Sequence, residues 1–568
     1  MVEKLINSRS ASDFKHIRTV LIANRGEIAC RIISSCKKFG LKSVAIYSKE
    51  DTDSLHVSQS DKAVLLPGSG SQAYINIDSI IDVAIKVKAD VVIPGYGFLS
   101  ENSTFAQKLQ QHGILFSGPS AESVEEFGLK HIARSLAINS KVPVVPGTDL
   151  VETLEDAKAE GAKIGYPLML KSTAGGGGMG LKVCENENQL KQFFNEVKSR
   201  GQSLFNHTGV FIEKYVQNAR HIEIQLFGNG LGDVITFGER ECSIQRRHQK
   251  VIEESPSPFV DFEMRKQLSG CAISLASSVK YKSAGTIEFL VDDDTGDFYF
   301  LEMNTRLQVE HGISELVYGI DLVYLMLLQS DYEAAKSGIP LKTLQEQSNS
   351  SWRHDLLEPT GHSIEVRVYA ENPVKDFAPS PGILHQVEFP PRESIRIDHW
   401  VSTGTKISPY FDPLLAKIMC WGKDRKTATD NLIAYLEDVK LHGPPTNLAY
   451  LIDILKTEKF NQGFTLTSFL NSLKFQPSLI EFEEAGAYTT IQDLPGRPTV
   501  SGGIPRSGPV DPLSLQIANI IVGNDKYTEC LEINLSGPIL KFHSSAIIAL
   551  AGANFEFKIN GEDKPLFT

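Results

Sequence analysis

The stretch that decides the fold is Thr286-Ile-Glu-Phe-Leu-Val291, followed by Asp292-Asp-Asp-Thr-Gly-Asp297 and Phe298-Tyr-Phe-Leu-Glu-Met-Asn-Thr-Arg-Leu-Gln-Val-Glu310. Two apolar runs flank an acidic turn that contains Gly296, a pattern that predicts an antiparallel hairpin. Because side chains alternate along a strand, folding about the turn brings Glu288 and Glu302 nearly opposite each other. Two facing carboxylates between apolar neighbours repel and lose hydration unless a cation lies between them. A divalent ion such as Mg²⁺ would remove that cost.

Charged residues continue directly after the hairpin. Arg306 and Glu310 add a guanidinium and a third carboxylate within a few residues of Glu302. The hairpin alone is also compatible with two solvated carboxylates on an exposed sheet face. The density of charge favours a functional site.

Composition sets the broad class. A length of 568 residues predicts three or four domains, and 41% hydrophobic with 22% charged residues is ordinary for a globular protein. The net charge of −12 argues against nucleic-acid binding, and no apolar run approaches the ~18 residues that span a membrane. The seven cysteines are scattered without a Cys-x-x-Cys pair, which indicates reduced thiols in a cytoplasmic protein.

Short apolar strands alternate with helix-like stretches between residues 17 and 125, which predicts a mainly parallel sheet. The predicted elements are strands Thr19–Ala23, Ser43–Tyr47 and Val91–Pro94, and helices Glu27–Phe39, Ile77–Lys88 and Asn102–His112. Ligands settle at the carboxyl ends of such strands. The two turns found there, Asn24-Arg-Gly-Glu27 and Gly95-Tyr-Gly-Phe-Leu-Ser-Glu-Asn102, lack the Gly-x-Gly-x-x-Gly pattern, which disfavours a nicotinamide dehydrogenase.

A glycine-rich loop follows a predicted strand that ends in Lys171. The loop contains Gly175, Gly176, Gly177, Gly178 and Gly180. Glycines allow backbone N–H groups to close around phosphate oxygens, and the lysine supplies positive charge. The loop lacks the Gly-Lys-Ser/Thr ending of a Walker motif, so it would hold ATP differently. A flexible linker is the alternative, although a linker does not normally follow an apolar strand.

Two polar stretches lie between residues 210 and 250. Arg220–Leu226 alternates polar and apolar residues, which predicts a half-buried strand with one polar face. Glu239–Lys250 concentrates cationic groups between acids, and composition leaves a solvated loop and an anion site equally open.

Five stretches together resemble the biotin carboxylase component of biotin-dependent carboxylases. They are Asn24–Glu27, Gly95–Asn102, the Lys171 glycine loop, Gln245-Arg-Arg-His-Gln-Lys250 and Glu302-Met-Asn-Thr-Arg-Leu-Gln-Val-Glu-His311. The similarity covers residues 17–470 in the same order. It implies an α/β, ATP-grasp architecture with an N-terminal α/β domain, a mobile lid, a central sheet domain and a C-terminal carboxylase subdomain.

The resemblance implies a role for each matching position. Nucleotide contacts correspond to Lys130, Lys171, the 175–180 loop, Glu213, His221, Gln245 and His248. Ligands of Mg²⁺ or Mn²⁺ correspond to Glu288, Glu302 and Asn304. Lys250 and Arg306 correspond to a bicarbonate clamp, Glu310 to the base that deprotonates bicarbonate, and Arg367 to the cation that stabilises the biotin enolate.

Two positions depart from the family pattern. Met179 stands in the glycine loop where relatives often have a basic residue, and Gly312 follows Glu310-His311 where many acyl-CoA and pyruvate carboxylases carry proline. Neither is one of the catalytic positions implied by the resemblance.

The amino-acid composition changes after residue 477. Stretches such as Tyr488-Thr-Thr-Ile-Gln-Asp493 and Gly508-Pro-Val-Asp-Pro-Leu-Ser514 begin a Gly/Pro-rich, strand-like region, which Leu531–Ile533 and Ile547–Ala553 continue. This region resembles the start of the carboxyltransferase domain of urea carboxylases, which is shared with KipA-type proteins. A generic β-rich extension is the alternative.

The resemblance implies domain boundaries. They are a flexible tail over 1–16, an N-terminal domain over 17–130, an ATP-grasp domain over 131–345 with its lid at about 140–205, a C-terminal carboxylase domain over 361–470 and a partial carboxyltransferase domain over 480–568.

The function implied is carboxylation of biotin with ATP and bicarbonate, as the first half-reaction of a urea carboxylase. No biotin-attachment motif of the Met-Lys-Met type occurs, so the expected partners are a biotinyl carrier domain, the rest of the carboxyltransferase domain and urea as final acceptor. Relatives are often dimers, which makes a homodimer an expected assembly. The alternatives are another acceptor such as guanidine, or a non-catalytic nucleotide-binding regulator, which would have lost Lys250, Arg306, Glu310 and Arg367.

Overall fold

The computed structural model describes residues 13–172, 181–205, 210–346, 352–353, 356–496, 507–554 and 556–564. The chain divides into two compact units, Met1–Leu473 and Lys474–Thr568. Both contain helices and strands, as the predicted α/β class requires.

The N-terminal domain is built on a parallel five-stranded sheet of order β3-β2-β1-β4-β5. Its strands are β1 (Thr19–Ile22), β2 (Lys42–Tyr47), β3 (Lys62–Leu65), β4 (Val91–Ile93) and β5 (Leu115–Phe116). Its helices are α1 (Gly26–Lys38), α2 (Leu55–Gln59), α3 (Gly70–Tyr74), α4 (Ile77–Val87), α5 (Ser103–Gln111) and α6 (Ala121–Gly128). The predicted alternation of strands and helices is confirmed.

The two turns predicted at the carboxyl ends of strands meet in this domain. The Asn24 side-chain amide, after β1, donates to the carbonyl oxygens of Pro94 at 2.6 Å and Tyr96 at 2.7 Å, after β4. Neighbouring parallel strands end at the same edge of the sheet, which brings the turns together.

A small antiparallel sheet of order β7-β6-β8 takes two of its strands from the predicted lid region and the third, β8, from just beyond it. The elements here are α7 (Lys130–Asn139), α8 (Leu154–Ile164), β6 (Leu168–Ser172), β7 (Leu181–Cys184), α9 (Glu187–Phe205) and β8 (Val210–Lys214). Leu168, Leu170, Phe194 and Ile212 belong to a separate apolar core. The glycines of the 175–180 loop, and Met179 with them, lie outside the described residues.

An eight-stranded antiparallel sheet of order β13-β12-β9-β10-β11-β14-β16-β15 forms the centre of the first unit. Its strands are β9 (Ala219–Asn229), β10 (Val234–Arg246), β11 (Gln249–Ser255), β12 (Lys282–Asp292), β13 (Phe298–Asn304), β14 (His362–Tyr369), β15 (Ile395–His399) and β16 (Leu414–Gly422). Pairing of Ile252 with Val366 joins β11 to β14. One continuous sheet therefore joins the predicted ATP-grasp and C-terminal carboxylase regions.

Helices cover this sheet. They are α10 (Phe262–Ser278), α11 (His311–Tyr318), α12 (Leu322–Ala334), α13 (Leu341–Gln345), α14 (Arg425–Leu436), α15 (Leu448–Lys456) and α16 (Glu458–Asn461). Among the described residues no single helix is long and apolar enough to cross a membrane. Helices α11 and α12 pass that test only as a pair, bent by 91°.

The hairpin predicted around Gly296 is confirmed by β12 and β13, which pair antiparallel with Thr286 opposite Asn304 and Glu288 opposite Glu302. Gly296 has φ +76°, a conformation that glycine adopts without steric cost. The register of the strands places the two carboxylates side by side.

Residues 13–16, which the sequence analysis assigned to a flexible tail, are packed in the structure. Phe14 is buried, and the backbone N–H groups of Lys15, His16 and Ile17 donate to the carboxylate of Asp331 at 2.7–3.1 Å. Residues 1–12 of the predicted tail lie outside the described residues.

The described residues of the second unit form three two-stranded sheets and one helix. Its elements are β17 (Ile480–Glu484), β18 (Tyr488–Gln492), α17 (Pro512–Ile521), β19 (Cys530–Asn534), β20 (Ile539–Phe542), β21 (Phe557–Ile559) and β22 (Glu562–Lys564). The strand predicted at Leu531–Ile533 is confirmed.

Two strand predictions for this unit are wrong. The stretch ending at Ser514 enters α17, because the Asp511 side chain accepts hydrogen bonds from the backbone N–H groups of Leu513 and Ser514 and Pro512 occupies the first helical position. Residues 547–553 form no strand, since in the described part of the chain no neighbouring strand pairs with them.

Candidate active site

A row of charged side chains crosses four neighbouring strands of the central sheet. Arg240 on β10 is opposite Glu223 on β9, Glu223 is opposite Glu288 on β12, and Glu288 is opposite Glu302 on β13. Residues opposite each other in adjacent strands have side chains within contact distance. The sheet register therefore places three carboxylates next to one another.

The carboxylates of this row have unequal acidities. Burial raises the pKa of Glu302, and the neighbouring Glu288 raises it further. Burial likewise raises the pKa of Glu223, although Arg240 at 2.5 Å opposes this. Burial would also raise the pKa of Glu288, but Lys250 and His221 outweigh it and hold that pKa well below its usual range. The row is therefore short of positive charge at its Glu302 end.

His221 lies beside the predicted metal ligands. Its Nε2 is 3.0 Å from Glu288 Oε2, and its Nδ1 is 3.1 Å from the Gln245 side-chain nitrogen. Burial alone would lower the pKa of His221, but the Glu288 carboxylate raises it above its ordinary value. Both His221 and Gln245 were predicted to contact the nucleotide. In the structure His221 contacts Glu288, and Gln245 contacts His221.

Lys250 connects the row to the predicted base. Its Nζ donates to Glu223 at 2.6 Å, Glu288 at 3.1 Å and Glu310 at 2.7 Å. Burial would lower the pKa of Lys250, but Cys242 and these three carboxylates raise it well above its ordinary value. The lysine is therefore a fixed cation at the centre of the site.

Glu310 is fully buried between two cations. One carboxylate oxygen accepts from Lys250, and the other accepts from Arg367 Nη2 at 2.9 Å. Burial would raise the pKa of Glu310, but Lys250 and Arg367 together hold it well below its usual range. Arg367 also lies 2.5 Å from Glu253. Glu310 is thus ionised and held at both oxygens.

Arg306 stands on the Asn304 side of the site. Its guanidinium donates to Glu101 at 2.9 Å, to Asn304 at 3.0 Å and to Gln308 at 3.1 Å. Lys250 and Arg306, predicted as one clamp, therefore bind different carboxylates in the structure. About a fifth of the Arg306 side chain is exposed to solvent.

The remaining predicted nucleotide contacts lie on the lid side or at the surface. Lys171 on β6 forms an ion pair with Glu213 on β8. Lys130 begins α7 and is exposed. Its charge partly offsets the rise in the pKa of Glu302. His248 is exposed in the turn between β10 and β11, with φ +65°.

The donor set fits a hard divalent cation. The carboxylates of Glu288 and Glu302 supply facing oxygens, and the Asn304 amide lies 2.8 Å from Glu288. The raised pKa of Glu302 reports a local excess of negative charge, which a cation would relieve. Two further groups of buried donors also have ligand atoms close enough to share an ion: His221, Glu223 and Glu288, and Glu223, Cys242 and Glu310.

Sequence reasoning missed three charged residues of the site. Glu223 lies on the polar face predicted for residues 220–226, so the alternation contained its signal. Arg240 and Glu253 lie in strands whose side chains are buried almost throughout, and buried charges have no periodic signal in a strand. Their contacts depend on strand order, which the sequence analysis did not predict.

Four protein-family models match the chain. They are the biotin carboxylase N-terminal domain over 16–124, the carbamoyl-phosphate synthase L chain ATP-binding domain over 130–330, the biotin carboxylase C-terminal domain over 365–472 and the carboxyltransferase domain, subdomain A and B, over 502–568. Biotin carboxylase 2 of Bacillus subtilis is 43% identical over 453 residues, which cover 79% of this chain and 98% of that relative. The chain belongs to the biotin carboxylase family.

Two further comparisons show similarity to larger or differently acting carboxylases. A putative urea carboxylase of Emericella nidulans is 51% identical over 97% of the chain, which spans 44% of that relative's length. The biotin carboxylase domain dimer of Hydrogenobacter thermophilus 2-oxoglutarate carboxylase, solved with MgADP, ADP and bicarbonate, is 37% identical with a TM-score of 0.72. That match covers 80% of this chain and 98% of the solved chain. The ATP-grasp fold predicted from the sequence is confirmed.

Proposed function

We propose that this chain joins bicarbonate to biotin with hydrolysis of ATP, as the first half-reaction of a urea carboxylase. The observation that carries the proposal is Glu310, a fully buried carboxylate held between Lys250 and Arg367. Lys250 links Glu310 to the row Glu223, Glu288 and Glu302, in which nearby cations do not fully balance the carboxylates. Such a site suits a reaction that gathers anions around a general base.

Glu310 is the proposed general base. Two cations keep its carboxylate unprotonated at neutral pH. When bound bicarbonate draws Lys250 towards its own oxygens, the pKa of Glu310 would rise and the carboxylate could accept the bicarbonate proton. Lys250, 2.7 Å away, would then stabilise the negative charge that develops on the nucleophile. Arg306 would turn from Glu101 to complete the clamp.

Glu288, Glu302 and Asn304 are the proposed ligands of Mg²⁺ or Mn²⁺. The metal, when bound, neutralises charge on the ATP phosphates and aligns them for attack by bicarbonate. His221 and Lys250 keep Glu288 ionised, so that a ligand oxygen is ready without loss of a proton. The proposed nucleotide contacts are Lys130, Lys171, the 175–180 loop, Glu213, His221, Gln245 and His248.

Arg367 is the proposed cation for the biotin oxyanion. It donates to Glu310 at 2.9 Å and lies 2.5 Å from Glu253, so its guanidinium is fixed in place. A charge that is positioned before the reaction needs no rearrangement as the oxyanion forms. Because Arg367 binds Glu310 directly, the proposed base and the proposed oxyanion site are adjacent.

The proposed partners are a biotinyl carrier domain, the remaining carboxyltransferase residues and urea, on the basis of the similarity to the Emericella nidulans protein. A homodimer is proposed by analogy with the solved 2-oxoglutarate carboxylase domain dimer. The seven cysteines are free thiols, which is the state of cysteines in the cytoplasm, the proposed location.

The test is ADP release by the purified chain with Mg²⁺, bicarbonate and free biotin, omitting each component in turn. Release that requires bicarbonate and rises with biotin supports the proposal. ATP binding without bicarbonate-dependent release would instead favour the nucleotide-binding regulator. Supplying urea or guanidine together with a biotinyl carrier domain and the remaining carboxyltransferase residues then identifies the acceptor.

A further inference from the structure

Lys417, on β16, reaches the backbone next to the proposed base. Its side chain is fully buried, and its Nζ donates to the Val309 carbonyl oxygen at 2.6 Å. That carbonyl belongs to the peptide unit that links Val309 to Glu310. The contact therefore fixes the backbone from which the Glu310 side chain extends.

Lys417 also joins distant parts of the chain at this point. Its Nζ lies 3.4 Å from Glu27, at the start of α1, and 3.6 Å from Asp398 on β15. Burial would lower the pKa of Lys417, but Glu27, Glu365 and Asp398 raise it above its ordinary value. The lysine is therefore a permanent cation that the N-terminal domain and β15 hold in place.

Met419 supports the same segment from the same strand. Residues two apart in a strand point to one face, so Met419 and Lys417 lie side by side. A Cβ atom at Gly312 would lie 2.3 Å from the Met419 sulfur, which shows how closely the two residues pack. This contact explains the glycine at a position where many relatives carry proline. Strand β16 thus contacts the segment on both sides of Glu310.

Arg367 and Lys417 are opposite each other on adjacent strands, β14 and β16. Arg367 binds the side chain of Glu310, and Lys417 binds the carbonyl immediately before it. Two neighbouring cations therefore fix the carboxylate and its backbone at the same time.

We infer that Lys417 is a positioning residue for Glu310, an inference that rests on the proposed function. Lys417 contacts no atom that changes in the proposed reaction, and it acts through the Val309 carbonyl. Displacement of a reacting group by 1 Å costs on the order of 100-fold in rate. Loss of the Lys417 contact is accordingly expected to lower turnover without weakening nucleotide binding.

The first test is Lys417→Met, which keeps the length of the side chain and removes its charge and donor. The expected result is a fall of about 10- to 100-fold in kcat for bicarbonate-dependent ADP release. The dissociation constant for MgADP should stay within about twofold of wild type, since the predicted nucleotide contacts lie on other strands. An equal loss of turnover and of MgADP affinity would indicate general unfolding and overturn the inference.

A matched control is Lys282→Met on β12. Lys282 is also largely buried and pairs with Glu333 at 2.8 Å, but it lies away from Glu310. Its loss should leave kcat unchanged. A comparable fall in kcat for both variants would mean that any buried lysine of the sheet has this effect.

Lys417→Met leaves the buried Glu27 without its cation, which could unfold the protein. The double variant Glu27→Gln, Lys417→Met removes that carboxylate while the Val309 carbonyl still lacks its donor. We expect thermal stability to recover and kcat to remain low. Recovery of kcat together with stability would overturn the inference. A wild-type chain without bicarbonate-dependent ADP release would refute the proposed function instead.

Discussion

Glu253 and Glu254 are neighbours on β11, and both are almost completely buried. Their side chains point to opposite faces of the sheet. Burial raises the pKa of Glu253 to about 7, and Arg367, which also binds Glu310, only partly offsets that rise. Arg425 and His362 overcome the same effect at Glu254 and lower its pKa to about 2.

The two environments differ in charge balance. Glu254 accepts from His362 at 2.7 Å and from Arg425 at 2.6 and 3.0 Å, so one acid has two partners. Glu253 lies on the side where buried acids share too few cations. Burial of charge is therefore common to both faces, and only the imbalance marks the candidate site.

The largest expected effect is that of Glu310→Gln. The amide cannot accept the bicarbonate proton, so kcat for bicarbonate-dependent ADP release should fall by about 10²- to 10⁴-fold. Thermal stability should fall less than in Glu254→Gln, because Lys250 keeps Glu223 and Glu288 as anionic partners and Arg367 keeps Glu253. Activity within a few fold of wild type would show that Glu310 is not the base.

Glu254→Gln tests the face of the sheet on which the buried acid has two cationic partners. Removing the carboxylate leaves buried Arg425 and His362 without their anion, which should lower the free energy of unfolding by about 3 kcal/mol. Chemical denaturation measures this loss. Turnover per folded molecule should match wild type, and a selective loss of turnover would place Glu254 in the active site.

Glu302→Gln tests the excess negative charge. The Mg²⁺ concentration for half-maximal ADP release should rise about tenfold, equivalent to ~1.4 kcal/mol. Without metal the variant should be at least as stable as wild type, since repulsion from Glu288 is relieved. The control is Asp294→Asn, an exposed acid in the turn of the same hairpin, which should leave the Mg²⁺ dependence unchanged.

The smallest expected effect is a pH dependence. Because the pKa of Glu253 is raised from 4.5 to about 7, ionising it costs stability in the folded chain as pH rises through that range. Thermal unfolding should therefore show Glu253→Gln gaining stability relative to wild type between about pH 5 and about pH 8, because the folded wild-type chain keeps its proton there while the unfolded chain has lost it.

The contribution of Glu254 to stability changes with pH in the opposite direction. Its lowered pKa contributes stability that is complete above pH 4.5 and is lost as pH falls towards about 2. The deficit of Glu254→Gln should accordingly shrink below pH 4.5. The same pH trend in both variants would contradict the contrast between the two faces.

The sequence predicted those parts of the site that depend on local pattern. Alternation and the Gly296 turn placed Glu288 opposite Glu302, and the pairing of β12 with β13 confirms it. The β/α alternation of the N-terminal domain is likewise confirmed. Both depend on residues close in sequence, where periodicity carries the information.

The remainder depends on strand order and on local capping. Glu223 meets Glu288 because β9 pairs with β12, and Glu253 meets Arg367 because β11 lies beside β14. Helix α17 replaced a predicted strand because Asp511 caps it, a local interaction that outweighs strand propensity.

Formation of carboxybiotin tests the central claim most directly. The purified chain is supplied with isotopically labelled bicarbonate, MgATP and free biotin, and the label recovered on biotin is compared between wild type, Glu310→Gln and Glu254→Gln. We expect ATP-dependent labelling by wild type, labelling by Glu254→Gln in proportion to its folded fraction, and almost none by Glu310→Gln. Equal labelling by wild type and Glu310→Gln would contradict this expectation.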